Sequence, residues 1–486
     1  MVASSAYSFA AQMATAAFTA VLTLFLVRAL GPKHYGTFAL AISIGALIAL
    51  PADLGISSST ARFVADHRAD RRALAWLLAD ALKLKVVASG LACGVLIAVS
   101  GVIASAYHAP LTWPLRAVAV AVFGQNLMFL FEGAFVADRR VASDVRMVLG
   151  ESAAEFSASI VLVLTVGGAL GAAVGRAFGY ACGGAFAMVL GARAFGWPAA
   201  VGRHGRRSLA RRIGGYAMPL ILVDSANTLF SAIDVLLIGA YLGADKVGLF
   251  SAPYRLLILL AYPGNSVANG VAPRMSQAGG NRTSAPALER SLRGLIVFQS
   301  MLIAPLLVWA EPIVRILLGP HYAGSVATLR VLSASAYLGG FVPLVSLTAN
   351  YLGDARSRVP LMIGAALLNA AIDVVLIPRL GIVAGAIGTG AALAVMVAGH
   401  LHICRRHIDL PLGGLAWSVV RGGLAAVAMG AVLLAFGLNP SMPLVIVGAA
   451  IAIATYFAIL LLAGELTLAA FADARRWIGR VLSARG

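Results

Sequence analysis

The sequence predicts an all-α integral membrane protein with about fourteen transmembrane helices, arranged as two six-helix lobes plus two extra helices. Three observations carry that expectation. Sixty per cent of the 486 residues are apolar, 12% are charged and the mean hydropathy is +0.92, whereas a soluble domain carries about 25% charged residues. Apolar runs long enough to cross a bilayer recur along the whole chain. Lys and Arg gather in short clusters between those runs.

Taken in order, a window of about 20 largely apolar residues places spans at 8–30, 36–60, 82–105, 113–136, 145–166, 168–192, 214–241, 247–271, 294–318, 325–352, 358–378, 382–404, 416–437 and 441–463. The remaining 465–486 sets Trp477 and Leu482 among Arg475, Arg476, Arg480 and Arg485, the pattern of an amphipathic tail lying on the membrane surface. The stretch from Met1 to Ser5 lacks the positive region of a secretory signal, so the first apolar run is read as a span.

Charge supplies the orientation. With a cytoplasmic N-terminus, the loops after even-numbered spans and the tail hold 28 of the 37 Lys and Arg residues, which places both termini in the cytoplasm. The net charge of +18 therefore reflects topology; no basic domain or aromatic–basic surface points to nucleic acid. Cys93, Cys182 and Cys404 lie in or at the end of apolar runs without metal-like spacing and read as apolar fillers. No metal or other cofactor is expected. No Gly-x-x-x-x-Gly-Lys-Ser/Thr phosphate loop is present, so ATP hydrolysis by this chain is excluded.

An internal repeat suggests the lobes. Leu30, Gly31, Gly36, Phe38, Ala49, Pro51 and Arg62 meet Leu242, Gly243, Gly248, Phe250, Ala261, Pro263 and Arg274 at a constant offset of 212, and Gly167, Gly171 and Ala172 echo Gly381, Gly385 and Ala386 at 214. The expected division is 1–213 and 214–410 for the lobes, 411–464 for two additional helices, and 465–486 for a cytoplasmic tail. Six is even, so the lobes share one orientation and are related by a pseudo-two-fold along the membrane normal, a transporter plan with solute bound near mid-membrane.

At "LGPKHYGTFAL", "ADLGISSSTARFVA", "LLGPHYAGSVATLRVLSAS" and "NYLGDARSRVPLMIGAALLNAAIDVVLIPRLGIVAGAIGTG" the chain resembles the polysaccharide-biosynthesis, oligosaccharide-flippase branch of the multidrug/oligosaccharidyl-lipid/polysaccharide exporter superfamily. The matching motifs are Gly31–Gly36, Asp53–Gly55 and Asn369–Pro378, and the resemblance covers roughly 8–410. It implies translocation of an undecaprenyl-diphosphate-linked oligosaccharide repeat unit from the inner to the outer leaflet for surface polysaccharide synthesis. It also implies ion-coupled alternating access in a bacterial inner membrane, without catalysis. The implied partners are the lipid-linked oligosaccharide, membrane lipids and polysaccharide polymerase or co-polymerase proteins, with the chain itself a monomer.

Charges inside spans are costly, about 2.5–3.5 kcal/mol each on insertion scales, which makes them candidates by default. Arg255, Arg28 and Arg176 are expected to line the cavity and engage diphosphate or acidic sugars by bidentate hydrogen bonds. Two other readings stand beside this one: Arg255 or Arg176 in an internal ion pair, with Asp224 or Asp234 as Arg255's partner, and Arg28 reaching to the interface. Asn265 and Asn269 follow Pro263 in the repeat position of Asp53 and Ser57 and are candidates for sugar hydroxyls. Among the acidic positions in or beside spans, Asp53, Asp224 and Asp234 are the ion-coupling candidates, with Glu132, Glu151, Glu155 and Asp373 in the wider set.

Three rival functions belong to this composition. A multidrug or organic-cation antiporter of the same superfamily predicts an acidic cavity, whereas Arg176 and Arg255 favour an anionic solute. A lipid II flippase fits the same fold. A membrane glycosyltransferase or polymerase needs catalytic residues on sizeable outer loops, and the outer loops here are short, with His108 and His321 isolated.

Overall fold

A computed structural model of the chain describes residues 2–53, 55–68, 70–196, 225–258, 260, 262–277 and 281–466. Among these residues there are helices and no strands. Asp224 and most of the expected tail, 467–486, lie outside the described residues.

The helices are α1 (Val2–Asp53), α2 (Ile56–Asp66), α3 (Arg71–Ala106), α4 (Thr112–Ala137), α5 (Val141–Thr165), α6 (Gly168–Phe195), α7 (Ser225–Leu242), α8 (Ala244–Ile258), α9 (Tyr262–Gln277), α10 (Asn281–Val308), α11 (Ala310–Ile313), α12 (Val326–Gly339), α13 (Val342–Tyr351), α14 (Ala355–Leu380), α15 (Ile382–Arg405), α16 (Leu412–Ala435) and α17 (Met442–Leu462). Thirteen segments among the described residues are long and apolar enough to cross a membrane. The third to fourteenth expected spans each fall on one of them.

The first two expected spans share α1, which is broken at Gly31 (φ 66°, ψ 174°). A straight 52-residue helix would reach about 78 Å at 1.5 Å per residue, against a hydrocarbon core of about 30 Å. Only glycine adopts that backbone conformation freely. A second break follows: α1 ends at Asp53, Gly55 is left-handed (φ 64°), and α2 starts at Ile56.

The third span begins at Arg71, eleven residues earlier than expected. Asp70 caps it by accepting from the Arg72 and Ala73 amides at 3.1 and 3.0 Å. The reading of 62–85 as a basic loop is therefore corrected: Lys83 and Lys85 lie inside a helix. Further along α3, Val87, Leu91, Val95 and Val102 are each more than half exposed, an apolar face that only lipid can cover.

By packing, the residues form two units: Met1–Leu259 with Val359–Ala392, and Leu260–Arg358 with Leu393–Gly486. This grouping follows contacts, whereas the expected division at 213/214 follows internal repetition. Within the first unit, a glycine at every fourth position of α6 admits α5. Side chains at Gly171, Gly175, Gly179 and Gly183 would strike Leu162, Ser159, Glu155 and Glu151 respectively, the small-residue packing typical of membrane helices. On another face of α6, a side chain at Gly191 would strike Phe131 of α4.

Within the second unit, Ala304 and Trp309 pack with Ala425, Met429 and Leu433 of α16 and Ala452, Tyr456 and Leu460 of α17. Tyr456 donates to the Val297 carbonyl at 2.7 Å, and Trp309 Nε1 donates to the Gly437 carbonyl at 3.1 Å. Each buried polar tip thus finds a main-chain acceptor, as a dry interior requires.

Candidate functional site

The α5–α6 glycine contact sets the central feature of the first unit. It brings Glu155 of α5 to Arg176 of α6, with Arg176 Nη1 donating to Glu155 Oε1 at 2.8 Å. The guanidinium lies 5.0 Å from the Tyr180 ring centroid and also donates to that hydroxyl at 3.3 Å. Next to Glu155 stands Glu151, whose Oε2 accepts from Ser152 at 3.2 Å while its Oε1 is buried without a hydrogen-bond partner.

These groups line a cavity of about 340 Å³, together with Tyr35, Glu132 and Arg255. The structure therefore brings Arg176 and Arg255 together, both at one cavity as expected. Among the described residues Arg255 makes no ion pair. Asp234, one of its two expected partners, is engaged elsewhere, and Asp224 lies outside the described residues. Arg28 is exposed and is not part of this cavity wall. Three carboxyls share the cavity with the two guanidiniums, so its lining carries both signs of charge.

A second cavity, of about 870 Å³, shares Phe129 and Glu132 with the first. Its wall includes Asp53, Ser57, Gln125, Asn126, Asn227 and Thr228. Asp53 is not free. Ser57 donates to it at 2.6 Å, and the fully buried Lys85 donates to both Asp53 and, at 2.9 Å, Ser57. Lys85 escaped sequence reasoning because it was counted with a surface loop; its i+7 spacing from Leu78, another buried residue of α3, was the available signal.

Asp234 is buried at 1% exposure between Asn369, which donates to it at 2.9 Å, and Thr389, which donates at 2.7 Å. Asp373 of α14 adjoins it. Both Asp373 carboxylate oxygens and Asn369 Oδ1 are buried without hydrogen-bond partners. Two carboxyls enclosed with neutral donors need a proton or a cation for balance, and oxygen ligands of this kind suit a hard cation. Gly388 leaves the room: a β-carbon there would stand 2.5 Å from both Asn369 Oδ1 and Asp373 Oδ1. Asp373, expected as a structural partner, thus belongs to a site that fits a cation.

In the second unit, Asn265 and Asn269 stand one turn apart on the exposed side of α9. Ser266, on another face, borders an open pocket of about 620 Å³ with Arg290 and Ser291.

The chain matches the family model described as polysaccharide biosynthesis protein over residues 1–278. It belongs to that family. One curated relative of this polysaccharide biosynthesis protein is the probable low-salt glycan biosynthesis flippase Agl15 of Haloferax volcanii, 22% identical over 205 residues. That match spans 41% of this chain and 43% of Agl15, less than half the length of the relative.

Among solved structures, lipid II flippase MurJ in an inward closed conformation superposes with a TM-score of 0.77 at 12% identity, covering 93% of this chain and 98% of MurJ. An inward-facing multidrug resistance MATE family transporter of the MOP superfamily gives 0.66 at 15% identity, over 80% of this chain and 95% of that one. At such identities the likeness is one of fold: this polysaccharide biosynthesis protein is a multi-pass membrane protein with the MurJ and MATE architecture.

Proposed function

We propose that the protein is a flippase that moves an undecaprenyl-diphosphate-linked oligosaccharide from the inner to the outer leaflet of a bacterial inner membrane, by ion-coupled alternating access. The observation that carries this reading is the meeting of Arg176 and Arg255 at one cavity among apolar helices. Arg255 makes no ion pair among the described residues, so its guanidinium is available for a diphosphate in a fork geometry. Family membership and the likeness to Agl15, a probable glycan biosynthesis flippase, support the same substrate class. The Asp234–Asp373–Asn369–Thr389 cluster supports coupling, with a sodium ion or a proton as the balancing charge.

The test is reconstitution in liposomes with a fluorescent polyprenyl-diphosphate-linked sugar, following chemical quenching of the outer-leaflet probe. Protein-dependent flipping that falls at least about tenfold in Arg255→Ala supports the proposal. Flipping at the protein-free rate, with the cation cluster loaded by sodium or by low pH, sinks it.

A second reading has an observation of its own. Glu132, Glu151 and Glu155 also line the cavity, which suits an organic cation. Uptake of such a cation by the same liposomes, without flipping of the lipid-linked sugar, would select an antiporter instead.

A further inference from the structure

The larger of the two cavities is built for chemistry different from that of its neighbour. Its polar wall is supplied by amides and hydroxyls, Gln125, Asn126, Asn227, Thr228 and Ser57, groups that pair with sugar hydroxyls in either direction. At about 870 Å³ it falls within the range of about 300–1,000 Å³ for ligand pockets. No Lys or Arg lines it. The carboxyl of Asp53 is occupied by Lys85 and Ser57. Glu132 has no hydrogen-bond or ion-pair partner among the described residues; another carboxyl, Asp144, is the charge that acts on it.

Position connects this wall to the arginines. Glu132 and Phe129 border both cavities, and Phe129 offers a ring that is 44% exposed. Gln125 ties the two together: its amide donates to the Tyr180 hydroxyl at 3.3 Å, the same hydroxyl that Arg176 contacts. A headgroup whose diphosphate lies at Arg176 and Arg255 would therefore extend its sugar past Phe129 and Glu132 into the larger cavity.

We infer that the 870 Å³ cavity is the carbohydrate subsite, and that Glu132 makes it select neutral or amino-bearing sugars over acidic ones. The inference rests on the diphosphate reading above and adds the charge class of the sugar. Repulsion between Glu132 and a uronate is the physical basis: two like charges a few ångströms apart in a protein setting cost enough to discriminate about tenfold or more.

Binding is tested on the full-length protein in nanodiscs with three probes: farnesyl diphosphate, farnesyl-diphosphate glucose and farnesyl-diphosphate glucuronate. The wild type is expected to hold the glucose probe about tenfold tighter than the glucuronate probe. Glu132→Gln is expected to bring that ratio close to one while leaving farnesyl diphosphate affinity unchanged. Asn227→Lys, an exposed position on the same wall, is expected to turn the preference toward glucuronate and keeps the test open if Glu132→Gln does not fold. Equal wild-type affinity for the two sugar probes overturns the inference, as does a preference that survives both substitutions. Failure of the diphosphate reading looks different: Arg255→Ala then weakens none of the three probes.

Discussion

Gly36 and Gly248, 212 residues apart and equivalent in the internal repeat, meet main chain to main chain where α1 crosses α8. A β-carbon on Gly36 would stand 2.6 Å from the Gly248 nitrogen, and one on Gly248 would stand 2.6 Å from the Pro32 carbonyl carbon. Main chain cannot rotate away as a side chain does. Gly36→Ala is expected to destabilise the protein by about 1–3 kcal/mol through overpacking, whereas Gly90→Ala, where no atom lies within 4 Å, is expected to be neutral. Thermal unfolding in detergent checks the contrast; equal midpoints for the two variants would refute the tight crossing.

The Lys85–Asp53 pair predicts a strongly non-additive cycle. Lys85 is fully buried and Asp53 is 27% exposed. Lys85→Met alone leaves a carboxylate facing only Ser57, and Asp53→Asn alone strands a buried ammonium; about 3–5 kcal/mol is expected for breaking such a pair. The double variant is expected to recover a large part of that loss. A double variant whose destabilisation equals the sum of the two singles would mean the pair is not coupled.

Arg176 and Arg255 are expected to part company under substitution. Arg255→Ala removes no ion pair among the described residues, so folding is expected to persist while the KM for a diphosphate-linked substrate rises about tenfold or more. Arg176→Ala leaves Glu155 and Glu151 together without their cation, and is expected to lower the melting temperature as well. Parallel unfolding and flipping measurements separate the two outcomes.

Gly388→Ala fills the space beside Asn369 Oδ1 and Asp373 Oδ1. Loss of sodium- or proton-dependence in the transport rate is the expected result, with Asp373→Asn giving the same loss by removing charge instead of space. Thermal stabilisation by added sodium supplies a reading that does not need a transported substrate: it is expected in the wild type and absent in Gly388→Ala.

Asp138, just beyond α4, accepts from Arg71 at 2.8 Å and from Arg140 at 2.7 Å. Burial alone would raise its pKa, but the hydrogen bonds and charges of the two arginines outweigh that and hold it below the ordinary value of 3.8. A depressed carboxyl stabilises the folded state fully above its unfolded pKa, and that contribution disappears as pH falls through the folded value. Asp138→Asn is therefore expected to flatten the acid side of the melting profile below about pH 4. Identical slopes in wild type and variant between pH 6 and 3 would contradict the ion-pair account.

Much of the fold could be read from the chain because lipid imposes a simple rule on spans: length and apolarity decide them. The α3 boundary was misplaced because Lys83 and Lys85 look like loop residues when side chains are judged without partners, and Asp53, 32 residues away, becomes a partner only on folding. The pairing of Arg176 with Glu155 was legible as a possibility, since both are charges inside apolar runs. Its geometry was not, because the α6 glycines fix which side chains of α5 approach. Asn369 and Thr389 carry no charge to draw notice, and only the packing of α7 against α14 and α15 reveals them around Asp234. Arg28 shows the converse: a charge near a span end marks an interface as readily as a cavity.

The break at Gly31 bears on how the chain enters a membrane during synthesis. One residue parts two apolar rods, so no polar connector exists that could wait in the cytosol or the exit channel while the first rod settles. Both rods must be accommodated by the insertion machinery before either is released sideways into lipid. The fate of the earliest residues is thus decided only after those near Asp53 have left the ribosome.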